Sequence, residues 1–231
     1  MKRIWDVFPK TAARVWESHE DVDLHGHHDW VHALRVGEIA RQVALEEWGD
    51  ERISHLAGLA GLCHNADRVL AHGGRLSSRT AVSCGEVDYL VEYWVGEAIR
   101  LNDVRQIVNA VLRHSAKNSP NDSKVLIALM DGDRVVNLDT DLFPRSGQYY
   151  HDLPVVDYRY FLEDPEATYR SPKSVLRDIA YSMDWADPTS AVSVRTQLGR
   201  KMAGDRVKVF QTFFDALKAQ LAEEGIHPYP F

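Results

Sequence analysis

The sequence predicts an all-α fold, and three observations predict it. Apolar residues recur at helical spacing along most of the 231 residues, strict period-two alternation is almost absent, and a 45% hydrophobic content suffices for a sizeable core. Val31, Leu34, Ile39, Val43 and Trp48 predict a helix from about Asp29 to Trp48, with Asp29 as N-cap and Gly49-Asp50 as its end. Ile53, Leu56, Leu59, Ala60 and Cys63 predict a second helix, apolar on most sides and hence central, in which Gly58 and Gly61 allow close approach by neighbours. Val87 to Ala98 and Ile107 to Leu112 predict two more. Val125, Leu126, Leu129 and Met130 predict another that stops near Asp131-Gly132-Asp133. The last helices are expected through Val175, Leu176, Ile179 and Met183, and through Val207, Phe210, Phe214, Leu217 and Leu221.

Residues 138–171 break this pattern. Phe143-Pro144, Ser146-Gly147, Leu153-Pro154 and Asp164-Pro165 read as loop punctuation, and the stretch is rich in tyrosine. It is expected to be an irregular Tyr/Pro-rich insertion, a lid or wall, within one domain covering residues 1–231. The core motifs then occupy about 28–136 and the C-terminal helices about 172–224.

Charge and cysteine content narrow the function. Lys+Arg 27 against Asp+Glu 34 gives a net charge of −7, which disfavours a coat on nucleic acid or an anionic membrane. Cys63 and Cys84 are too few for a disulfide framework and read as reduced, small core residues. The N-terminus lacks the apolar run of a signal peptide, and Ile53–Cys63 is too short to span a bilayer. A cytoplasmic location is expected.

The 11 histidines gather in two places. His19, His25, His27, His28 and His32 share one short stretch, while His55 and His64 frame the central helix. Imidazoles and carboxylates that converge from separate helix ends can hold a metal with a position left for water. His32 lies one turn inside its helix, His64-Asn65 closes the next, and Asp133 closes a third. Residues two apart on a helix point in nearly opposite directions, so Asp131 and Asp133 do not share one ion.

At these residues the sequence resembles the HD superfamily of metal-dependent phosphohydrolases, which places an HD-domain-like helical bundle over the chain. The resemblance rests on His28-Asp29-Trp30-Val31-His32, on Leu59-Ala60-Gly61-Leu62-Cys63-His64-Asn65, and on Leu129-Met130-Asp131-Gly132-Asp133-Arg134-Val135. Val111-Leu112-Arg113-His114-Ser115 and the segment Arg195 to Arg200 with Ala203, Arg206 and Phe210 are similar to one bacterial branch. It implies His32, His64, Asn65 and Asp133 as holders of one divalent ion (Mn, Fe, Co, Ni, Zn or Mg). It implies further that Asn65 stands in place of the family's ligand Asp. An amide has one neutral acceptor oxygen and two donors, so weakened metal binding is expected. Asp67 and His114 are candidates for proton handling. Lys173, Arg177, Arg200 and Arg206 are candidates for phosphate anchoring, and His28 and Asp131 for orienting the ligands. The implied activity is hydrolysis of a small phosphorylated molecule, a nucleotide being the natural guess. The alternative is a degenerate domain that binds metal or nucleotide without turnover because of Asn65. Cys63, His72, His151 and His227 are expected to have no part in the chemistry.

Overall fold

The computed structural model describes residues 3–22, 24, 28–72 and 85–226; His25, His27, Cys84 and His227 lie outside them. Two N-terminal helices, α1 (Ile4–Val7) and α2 (Pro9–Glu20), precede those expected from periodicity. Pro9 opens α2, where its missing N–H costs nothing. Phe8, between the two, is fully buried. A Cβ on Gly58 would fall 2.7 Å from its ring, so the bare glycine makes room for Phe8.

Helix α3 (Trp30–Trp48) starts as expected: the Asp29 carboxylate accepts the His32 backbone N–H at 2.7 Å. It ends at Gly49 in the left-handed region, and Asp50 then caps α4 (Glu51–Cys63) by accepting from Arg52 and Ile53. After α5 (Ala66–His72) come α6 (Glu86–Trp94), α7 (Leu101–Arg113) and α8 (Lys124–Val136), the last capped by Ser123. The C-terminal part holds α9 (Leu142–Tyr149), α10 (Val175–Ser182) with a 3-10 turn at Met183–Trp185, and the long α11 (Gln197–Glu223).

Helices α3, α4 and α8 pack most extensively on one another and form the centre of the molecule. Small residues set their spacing: a Cβ on Gly61 of α4 would lie 2.5 Å from Gly37 Cα of α3, and one on Gly132 of α8 would lie 2.9 Å from the Ala40 N. Close crossing brings the ends of the three helices together. A second apolar cluster, with Leu176, Ile179, Phe210 and Phe214, joins α9, α10 and α11.

Two expectations change. Asp131-Gly132-Asp133 does not stop its helix; α8 runs on to Val136, and Gly132 is there because Ala40 packs against it. The stretch 138–171 begins with the helix α9, because Pro144 sits in the first turn, where no intrahelical N–H bond is lost. Among the described residues there is no strand, only an isolated bridge between Thr168 and Ser171. No helix among them is long and apolar enough to cross a membrane.

Candidate metal centre

Three helix ends converge on one point. His32 is in the first turn of α3, His64 is the C-cap of α4, and Asp133 is in the last turn of α8. One ligand atom from each lies within 4.8 Å of the other two. Both histidines are buried, and the Asp133 side chain keeps about a quarter of its surface. His32 Nε2 is 3.1 Å from Asp133 Oδ1, and His64 Nε2 is 3.9 Å from the same oxygen.

The ring of His64 turns one bare nitrogen toward the cluster. Its Nδ1 donates to the Gly61 carbonyl at 2.7 Å, which puts the proton there and leaves Nε2 bare. That Nε2 is buried without a hydrogen-bond partner. An orphaned imidazole nitrogen facing a carboxylate is costly unless something occupies the space between them. A divalent ion with the three donors fits it. Burial pushes the pKa of His64 down to about 3, outweighing the pull of Asp133, so the ring is neutral at ordinary pH. Burial pushes the Asp133 carboxyl up, but the hydrogen bond from His32 and the electrostatic pull of the neighbouring imidazoles outweigh this and hold it well below the usual range. Two neutral imidazoles and one carboxylate are the donor set of an open metal site.

Other residues border this cluster. The His114 ring lies 5.5 Å from that of His64, with Nδ1 held by the Val111 carbonyl at 2.6 Å. His28 lies edge-on to His32 at 6.4 Å, and Tyr149 packs on His28 at 6.0 Å. Asn137 donates to Asp133 Oδ1 at 3.0 Å. The Tyr169 ring is half exposed, but its hydroxyl is pushed up to about 12 by desolvation and by the charges of Asp133 and Asp178.

The assignment of Asn65 is corrected. The cluster has its carboxylate, Asp133, and no amide stands in its place. Asn65 is buried and donates its Nδ2 to the His28 carbonyl at 3.0 Å, a bond that an ionised aspartate cannot make. The weak metal binding expected from Asn65, and the non-catalytic alternative built on it, lose their ground. The family resemblance fails at the feature that defined it.

The remaining candidates are engaged in various ways. Asp131 is fully buried and accepts the Thr196 N–H at 2.6 Å and the Arg195 N–H at 2.9 Å, fastening the start of α11. Asp67, at the start of α5, pairs with Arg68 at 3.6 Å. Arg206 bonds the Val135 carbonyl at 2.5 Å and Asp139 at 3.1 Å, clamping α11 to the end of α8. Arg177 stacks on Tyr181 at 4.4 Å, Lys173 pairs with Glu166 at 4.0 Å, and Arg200 is exposed. Cys63 is buried, with its thiol pushed up by burial, as packing requires.

Two neighbours of the cluster were missed from sequence. Asn137 lies four residues after Asp133, on the same helical face, a spacing that could have found it. Arg145 comes from the stretch read as loop and reaches His32 across 113 positions, with no local signal.

The fold and cluster together define an all-helical protein with a buried His/His/Asp group capable of holding a metal. No family model matches the chain, and no curated protein matches it. Two solved structures share the fold. A Listeria innocua protein is 16% identical with a TM-score of 0.60, over 93% of this chain and 96% of its own. A Lactobacillus plantarum protein is 17% identical with a TM-score of 0.65, over 94% and 97%.

Proposed function

We propose that this protein is a metal-dependent phosphohydrolase that acts on a small phosphorylated molecule, with a nucleotide as the favoured class. The observation that carries the reading is the bare, buried His64 Nε2 beside His32 and Asp133. His32, His64 and Asp133 would hold one divalent ion, which when bound supplies a Lewis acid for a phosphoryl oxygen and acidifies water. His114 stands next to His64 with its Nδ1 anchored, so its Nε2 is the group placed to move a proton; Asp67 is the second candidate. Tyr149, packed on His28 at the edge of the cluster, supports an aromatic substrate.

A hydrolysis screen with the protein loaded in turn with Mn2+, Co2+, Ni2+, Zn2+ and Mg2+ tests this. Nucleotides, sugar phosphates and p-nitrophenyl phosphate are the substrates. Turnover should vanish in Asp133→Ala and fall about 100-fold or more in His114→Ala. Stoichiometric metal with no hydrolysis of any phosphate ester would overturn the phosphohydrolase reading and leave a metal-binding protein.

A further inference from the structure

We propose that the cavity between the end of α2 and the start of α3 binds a small primary alkylammonium, which donates an N–H to the buried Nε2 of His19. The cavity measures about 150 Å3 and is lined by Trp16, His19, Glu20, Leu24, Asp29 and Trp30. At about 30 Å3 each, it has the volume of about five waters, room for a charged head and a few carbons. The inference does not depend on the metal-centre reading above.

The His19 ring supplies the observation that points to a ligand. His19 is 7% exposed. Trp94 stacks on its ring at 6.0 Å and Trp30 tilts against it at 6.5 Å, which holds the imidazole in place. Its Nδ1 lies 2.7 Å from the Val15 carbonyl one turn back, and a carbonyl only accepts, so Nδ1 carries the proton. Burial pushes the pKa of His19 down against the pull of the Val15 carbonyl, the Asp29 charge and the His28 carbonyl, so the ring is neutral and Nε2 keeps a lone pair. That Nε2 is buried without a hydrogen-bond partner, a costly state until a donor arrives. The groups that act on the ring from residues 28 and 29 are acceptors themselves. The His28 carbonyl already takes the Asn65 Nδ2 at 3.0 Å, and Asp29 Oδ1 takes the His32 N–H at 2.7 Å.

The remaining lining selects the class of donor. It holds the Glu20 and Asp29 carboxylates and no Lys or Arg, so the cavity is electronegative. Water would satisfy Nε2 alone, whereas a cation also gains the two carboxylates and the indole faces of Trp16 and Trp30. A metal ion needs its donors closer together. Among the described residues, the one trio of His or carboxylate donors within 4.8 Å is His32, His64 and Asp133. A quaternary ammonium has no N–H for Nε2, and a primary ammonium has three.

NMR titration of the full chain with n-butylammonium, tetramethylammonium, n-butanol and a short lysine-containing peptide tests this. Butylammonium should saturate with a Kd of about 1 mM or below. Tetramethylammonium and butanol should bind about tenfold more weakly, or worse. The His19 Nε2 resonance should move as butylammonium binds, with Nδ1 still protonated. Trp16→Ala and Glu20→Gln, both at exposed positions, should each weaken binding about fivefold. Equal binding of tetramethylammonium would leave only an aromatic cation patch, and equal binding of butanol only an apolar one. No saturation by butylammonium would leave a cavity for water. Binding of the peptide without butylammonium would point to a protein partner instead. Any of these results overturns the proposal, as does saturable binding with the His19 Nε2 resonance unmoved or with both variants unaffected.

Discussion

Helix α8 carries two buried polar clusters on different faces, and they differ in how far they are satisfied. On one face Asp131 accepts the Arg195 and Thr196 N–H groups. From the same helix Arg134 donates to Asn118 Oδ1 at 2.6 Å, the Ser193 carbonyl at 3.0 Å and the Ala116 carbonyl at 3.3 Å. That cluster is a joint: it fastens α11 and the segment after His114 to the central helix. On the other face, Asp133 meets two histidines, and the His64 Nε2 facing it has no hydrogen-bond partner. Evolution retains buried polar groups either because they are paired or because something else pairs them. Two residues of sequence therefore separate a structural carboxylate from one that could ligate a metal.

Breaking the joint should have the largest effect. Asp131→Ala strips the acceptor from buried N–H groups and removes the carboxylate that most favours the Arg134 charge, and should cost about 4 kcal/mol in denaturant unfolding. Metal bound per folded molecule should stay as in wild type. If Asp131→Ala instead loses the ion at unchanged stability, the division between the two faces is wrong.

Asp133→Ala should do the reverse. Metal affinity should fall at least 100-fold, about 3 kcal/mol, while metal-free stability changes less than in Asp131→Ala. Titration calorimetry and urea unfolding of the same preparations would show it.

A third buried carboxylate sharpens the comparison at smaller scale. Burial pushes Asp178 up to about 6, and its hydrogen bond from Ser146 at 2.8 Å offsets only part of this. A raised folded-state pKa means that the stabilising contribution is full below about pH 4 and lost as pH rises through 6. Asp178→Asn should flatten that decline and gain about 2 kcal/mol relative to wild type at pH 8. An unchanged pH profile between pH 4 and 8 would show that Asp178 ionises at an ordinary pKa.

What could be read from sequence was local. The Asp29 cap, the spacing that sets His32 one turn inside α3, and the opposite faces of Asp131 and Asp133 depend on contacts a few residues apart. The extent of α8 was misread because Asp-Gly-Asp resembles a helix stop, whereas Gly132 answers to Ala40 on another helix. Asn65 was misread for the same reason: its partner, the His28 carbonyl, is 37 positions away. Helices α1 and α2 escaped notice, one because four residues hold too little pattern. Phe143-Pro144 and Ser146-Gly147 make the whole stretch 138–171 read as irregular, yet the first turn of α9 tolerates Pro144. Arg145 was hidden within that stretch.

The central claim is that the unsatisfied face of α8 exists to hold an ion. The most direct measurement is elemental analysis of purified protein after loading and removal of free metal, in wild type, His64→Ala and Asp131→Asn. Near one ion per chain in wild type and Asp131→Asn, with none in His64→Ala, is the result predicted. No ion in wild type under any loading condition, or an unchanged ion content in His64→Ala, would contradict it.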